Sequence, residues 1–197
     1  MIFDGKILNY KNIAADCGVS APTVKEYFTI LEETLLGYAL PAYTKTVKRR
    51  VIQASKFYLF DVGIVNYLTH RRNLLPGSVD YGHALEHLMV QEVMAYLSYT
   101  ESDMQMAYWR TASGFEVDII LFDPYSHEIR FAIEIKSCEE AQNRHLKGLR
   151  ALREEHPHAH AVCVSHDKSP RMTDDGIEIW PVEDFLKQLW NGRFCCP

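Results

Sequence analysis

Two short runs constrain this chain more than any other part of it: Phe115-Glu116-Val117-Asp118-Ile119-Ile120-Leu121-Phe122 and Phe131-Ala132-Ile133-Glu134-Ile135-Lys136. Both are too apolar for a solvated surface, yet both carry charge. Side chains on a strand alternate faces, so Glu116 and Asp118 share a face opposite Phe115, Val117, Ile119 and Leu121. By the same rule Glu134 and Lys136 oppose Phe131, Ile133 and Ile135. The link Asp123-Pro124-Tyr125-Ser126-His127 is turn-rich and suits a hairpin. That hairpin would gather Glu116, Asp118, Glu134 and Lys136 on one side. Alternating Glu and Lys also pair across strands on solvated faces. In strands this apolar an unpaired charge is costly, so these charges need a partner. A hard divalent cation held by carboxylates, with a lysine beside it, is one such arrangement.

The rest of the composition frames that reading. The 47% apolar and 24% charged residues are those of an ordinary water-soluble protein. No apolar run approaches the roughly 18 residues of a membrane span and no signal-peptide pattern opens the chain, so no membrane partner and a cytoplasmic location are expected. The five cysteines are odd in number and lack C-x-x-C spacing, as reduced thiols would. Charge is unevenly spread. Residues 1–72 hold ten Lys/Arg against six Asp/Glu, a balance of +4, and residues 73–197 hold eleven against twenty, a balance of −9. The boundary divides a basic part, suited to an anionic partner, from an acidic part suited to cations.

In the basic part, residues 9–16 read as a short helix and residues 21–31 as a second. Gly18 suits a helix C-cap, Ser20 an N-cap and Pro22 the first turn that follows. Val24, Tyr27, Phe28 and Leu31 form one apolar stripe. Helix, glycine turn and capped helix make a helix-turn-helix pattern. The runs 35–40 and 56–60 could then form a hairpin wing, with Lys45, Lys48, Arg49 and Arg50 between them. The segment resembles a winged helix-turn-helix domain. That resemblance implies DNA contact through Thr23 and Lys25 of the second helix and phosphate contact through the basic cluster.

In the acidic part, a helix is expected over 81–99, with Leu85, Leu88, Met89, Val93 and Leu97 inward. Strands at 105–111, 115–122 and 129–136, a helix at 139–154 and a strand at 159–165 follow; a strand at 177–180 and a helix at 183–190 end the chain. The overall class is mixed α/β (α+β). An α-β-β-β-α-β order with Asp118 and Glu134-x-Lys136 on its second and third strands resembles the PD-(D/E)xK nuclease superfamily, the restriction-endonuclease-like fold. The resemblance implies Mg²⁺ or Mn²⁺ on Asp118 and Glu134, Lys136 beside the attacking water, and Glu86 as a further metal ligand. Val117 stands where that superfamily usually has proline.

A second resemblance spans nearly the whole chain. Thr34-Leu35-Leu36-Gly37-Tyr38, Lys56-Phe57-Tyr58-Leu59-Phe60-Asp61-Val62-Gly63, Glu86-His87 and Tyr108-Trp109-Arg110-Thr111 are similar to the region of unknown function that follows an AAA+-type ATPase domain in a bacterial and archaeal family. No G-x-x-x-x-G-K-[ST] phosphate cradle occurs here. The chain is therefore expected to be the C-terminal part alone, without ATPase activity of its own. The expected function is a DNA-binding, divalent-metal-dependent nuclease-like module partnered by an ATPase domain, compatible with homo-oligomers. The alternative is a non-catalytic regulatory or docking module. His83-Ala84-Leu85-Glu86-His87 also matches an inverted zinc-protease signature, but no third ligand follows downstream.

Overall fold

The structure is a computed structural model that describes residues 4–45, 49–71 and 74–194. Among these residues it is a mixed α/β chain of six α-helices and two sheets.

The N-terminal elements form where local chemistry directs them. Helix α1 (Tyr10–Cys17) ends at Gly18, whose φ of 67° lets its N–H return to Ala14 O. Helix α2 (Ala21–Glu33) begins at Ser20, which accepts a hydrogen bond from Thr23 N at 3.2 Å. Val24 is buried, and Phe28 packs edge-on between Tyr10 and Phe57. Tyr27, expected in the same stripe, is 61% exposed. It lies at the stripe's margin, and the small core beneath α2 is already filled by Leu8, Ile13, Ala14 and Phe57.

Strands β1 (Lys6–Ile7), β2 (Gly37–Leu40) and β3 (Lys56–Leu59) make an antiparallel sheet in the order β1-β3-β2. The described residues between β2 and β3 are tied to the second sheet. Ala42 bridges Tyr108, Val51 bridges Thr111, and Ile52 N donates to Arg110 O at 2.8 Å. Helix α3 (Val62–Leu68), capped by Asp61, was not expected from the sequence.

The second sheet follows helix α4 (Val79–Tyr99). It holds β4 (Gln105–Arg110), β5 (Glu116–Phe122), β6 (Ile129–Ile135), β7 (His160–Ser165), β8 (Arg171–Met172) and β9 (Glu178–Pro181), in the order β4-β5-β6-β7-β9-β8. The first three strands are antiparallel, while β6–β7 and β7–β9 are parallel. One face packs against α4 and α6 (Val182–Trp190); the other packs against α5 (Lys147–Arg153). On α4, Leu88 is 38% exposed and His87 is fully buried, the reverse of the expected stripe. His87 can be inside because Asp4 Oδ2 lies 3.0 Å from its Nδ1.

The helix expected over 139–154 is shorter. A 3₁₀ turn at Asn143–Leu146 precedes α5. Residues 139–142 are held instead to the end of β7, where Asp167 accepts from Ala141 N at 2.7 Å and from Ser165 Oγ at 2.6 Å. Helix α5 lies hard against β5. A methyl group on Gly148 would fall 1.8 Å from Glu116 O, so only glycine fits. Gly148→Ala should cost at least about 2 kcal/mol by overpacking against backbone. A melting temperature within a degree of wild type would contradict that placement.

Candidate functional site

The interior of β5 departs from strict alternation. Ala107 pairs with Ile120 and Trp109 with Val117, so Asp118 and Ile119 together oppose Tyr108 in a bulge. Val117 and Ile120 enter one core, whereas Ile119 and Leu121 enter the other. The sequence pattern placed Val117, Ile119 and Leu121 on one face; the bulge separates them. It also fixes Asp118, whose Oδ2 accepts Ile135 N at 2.8 Å across the strand gap.

Glu86, Glu116, Asp118, Glu134 and Lys136 all line one open pocket of about 440 Å³, with Lys6, Lys56, His83 and Arg110. The sequence-predicted acidic residues are therefore brought together. Asp118 is 6% and Glu134 5% exposed. Lys136 is ion-paired with Glu134, and burial together with the Asp118 charge pushes the Glu134 carboxyl well above the usual range. Burial works against the charge on Lys136, but Asp118 and Glu134 hold it ionised. Glu134 Oε2 is buried with no hydrogen-bond partner.

Sequence reasoning missed Lys56, the residue at the centre. Its ammonium is 2.8 Å from Glu86 Oε1, 2.8 Å from Glu116 Oε1 and 3.9 Å from Asp118 Oδ1. It is 3% exposed and lies over the Tyr108 ring. Burial opposes its charge, yet Glu86, Asp118 and Glu116 raise its pKa above the ordinary lysine value. Tyr58 OH donates to Glu86 Oε1 at 2.7 Å, and Arg110 reaches Glu116 Oε2 at 3.1 Å. Burial and Asp118 raise the Glu86 carboxyl, with Lys56 and Tyr58 opposing. Lys136 stands out through Glu134 two residues before it, a neighbour that Lys56 lacks in the run Lys56-Phe57-Tyr58-Leu59.

These contacts change the expected metal set of Glu86, Asp118 and Glu134. Among the described residues no three of His, Cys, Asp or Glu are arranged as a metal cage. Lys56 and Tyr58 already hold Glu86. The unpartnered Glu134 Oε2 beside Asp118 still fits one cation, since a buried carboxylate oxygen without a donor needs a positive partner. The zinc-protease pattern does not assemble: His87 is turned to Asp4, whereas His83 lines the pocket.

The expected DNA contacts are scattered. Lys25, Lys45 and Arg50 are exposed, and Thr23 is half-buried with its hydroxyl on Ser20 Oγ at 2.8 Å. Lys48 lies outside the described residues. Arg49 is no free phosphate contact: it donates to Ala151 O at 2.9 Å and pairs with Glu154 at 2.6 Å. That guanidinium ties the β2–β3 connection to α5. A different basic group stands nearer the acids. Arg144, His145 and Lys147 line a second pocket that shares Glu116, Glu134 and Lys136 with the first.

Two family models match the chain. Residues 3–75 match a domain of unknown function, DUF8612. Residues 81–185, more than half of the chain, match a domain of unknown function, DUF4143, which is found in AAA-ATPase-associated proteins. The chain belongs to the DUF4143 family. No curated protein and no solved structure matches it significantly.

The buried carboxyl of Glu134 makes a pH-dependent prediction. Its folded pKa lies above its unfolded value, so its favourable contribution is complete below the unfolded pKa, about 4.3. That contribution is lost as pH rises through the folded value. Glu134→Gln should therefore melt higher than wild type at pH 8 in chelator, and the gap should close near pH 4. Lys56→Met strands the carboxylates around it and should cost about 3–5 kcal/mol. A loss under about 1 kcal/mol in urea unfolding would mark Lys56 as a mere surface partner.

Proposed function

Starting from a family whose description assigns no activity, we propose that the pocket is a divalent-cation-dependent, phosphodiester-cleaving site for DNA, of the PD-(D/E)xK nuclease kind. One observation carries the reading: Glu134 Oε2, buried and unpartnered, shares a pocket with Asp118 and Lys136. Asp118 and Glu134 would hold Mg²⁺ or Mn²⁺. When bound, the ion supplies Lewis acidity at a phosphate oxygen. Lys136, about one-third exposed, can reach both Glu134 and an incoming phosphate, and its charge offsets negative charge that grows in the transition state.

Electrostatics support an anionic substrate. Four carboxylates (Glu86, Glu116, Asp118, Glu134) share the pocket with four cations (Lys6, Lys56, Arg110, Lys136), so its charges balance when all are ionised. One divalent ion would make the pocket positive, which favours a phosphodiester. Arg144 and Lys147 lie across the shared wall of the second pocket, where adjacent phosphates of a strand would pass. The helix pair α1–α2 with its three-stranded sheet supports a winged-helix reading, in which exposed Lys25 and half-buried Thr23 approach a duplex. Lys45 and Arg50 would add phosphate contact. An ATPase domain is the proposed companion of the whole module.

A second reading rests on a different observation. Tyr27, Leu35 and Tyr67 are 61–81% exposed on the N-terminal part, which favours a non-catalytic docking module. Plasmid nicking with Mn²⁺ or Mg²⁺ separates the two. Wild type should nick, and Asp118→Ala/Glu134→Ala should not. Lys136→Met should lose about 100-fold, near 3 kcal/mol in barrier, while still binding Mn²⁺ by calorimetry. Arg144→Glu/Lys147→Glu should weaken DNA binding and flatten its salt dependence. Wild type inert with every divalent ion, though folded, would favour docking.

A further inference from the structure

We infer that Lys56 stands in for a second metal ion, so that the pocket takes one divalent cation, on Asp118 and Glu134, and Glu86 serves the lysine rather than the ion. The inference rests on the reading of this pocket as a divalent-cation site. A cluster of acids alone would carry no such claim; the geometry around Lys56 and the orphaned Glu134 oxygen do.

Each carboxylate has a defined engagement. Glu86 Oε1 accepts from Lys56 Nζ at 2.8 Å and from Tyr58 OH at 2.7 Å. Glu116 is shared between Lys56 at 2.8 Å and Arg110 at 3.1 Å. Asp118 Oδ2 is taken by Ile135 N at 2.8 Å. Asp118 Oδ1, 3.9 Å from the ammonium, and Glu134 Oε2, buried without a partner, are left to receive an ion.

An ion on Glu116 would have to share oxygens already held by Lys56 and Arg110, and an ion on Glu86 would sit on the carboxylate whose Oε1 Lys56 holds. Hard cations bind carboxylate oxygens at about 2.0–2.6 Å, which would bring two positive charges within a few ångströms of each other. Lys56 is also fixed more firmly than a surface lysine. It is 3% exposed, it lies 5.3 Å from the Tyr108 ring centroid, and its strand runs between β1 and β2. A positive charge therefore sits permanently at the second position. It comes from the N-terminal part of the chain, whereas all four carboxylates come from α4, β5 and β6.

Calorimetric titration of the full chain with Mn²⁺, together with melting curves, tests this. Wild type should bind one Mn²⁺ and Lys56→Met two, with Mn²⁺ raising the melting temperature of Lys56→Met more than that of wild type. Glu86→Gln should keep the stoichiometry of one, and Glu134→Gln should lose the ion. Two ions in wild type, one in Lys56→Met, or loss of binding in Glu86→Gln would each overturn the inference and leave a metal site standing. No ion in wild type but one in Lys56→Met would show exclusion instead of substitution, which also overturns it. No ion in either protein sinks the underlying metal reading. If Lys56→Met does not fold, the wild-type count and the Glu86→Gln arm decide.

Discussion

A buried ammonium among three carboxylates is a severe physical demand, and much of this structure answers it. Desolvating one lysine costs several kcal/mol unless partners replace its water. Here Glu86, Glu116 and Asp118 replace it, with Tyr108 beneath. The carboxylates in turn would repel one another without the ammonium. Neither set is tenable alone, so the strand bearing Lys56 and the elements bearing the acids depend on each other. Asp4 adds to this union: its two oxygens reach Leu59 N on β3 and His87 on α4. The pocket is thus a joint product of the N-terminal sheet and the C-terminal one.

The same arrangement shows how a site can be strained locally inside a stable frame. The six-stranded sheet is packed on both faces, with Val117, Ile119, Ile120, Leu121, Ala132 and Ile133 fully buried. On that frame Glu134 is held where its charge is unfavourable, and its second oxygen has no partner. Groups kept in such environments are held there by surrounding packing, and they cluster where chemistry is done. The β5 bulge is the local device: it re-aims Asp118 without interrupting the strand.

Much of this was legible in the residues. The caps at Gly18 and Ser20, the order of helices and strands apart from β1, α3 and β8, and the convergence of Glu116, Asp118, Glu134 and Lys136 follow from turn chemistry and alternation. Three things were not. The bulge was hidden because both possible faces of β5 are apolar, so a slip in alternation leaves no mark in the sequence. The tie between Arg49 and Glu154 spans 105 residues, and no local pattern distinguishes it from a solvated basic cluster. Lys56 was passed over because a lone lysine is ordinarily an exposed one, and its three partners lie in other elements.

The path of the chain between β2 and β3 has a bearing on how this protein folds. Residues 41–43 and 50–52 lie along β4, bonding to Tyr108, Arg110 and Ala112, and so cover the edge at which the six-stranded sheet would otherwise end. An open edge there would present unpaired amides to any neighbouring chain. The sheet can be closed on that side only by a segment made some sixty residues earlier, as the pairing of Val51 with Thr111 illustrates. Contacts of that sequence separation form late and slow the search for the native state. They also bind the two ends of the process together: the early-made segment has no finished place until the later strands exist, and those strands have an unprotected border until it arrives. Cooperativity here is a matter of edge closure as much as of core.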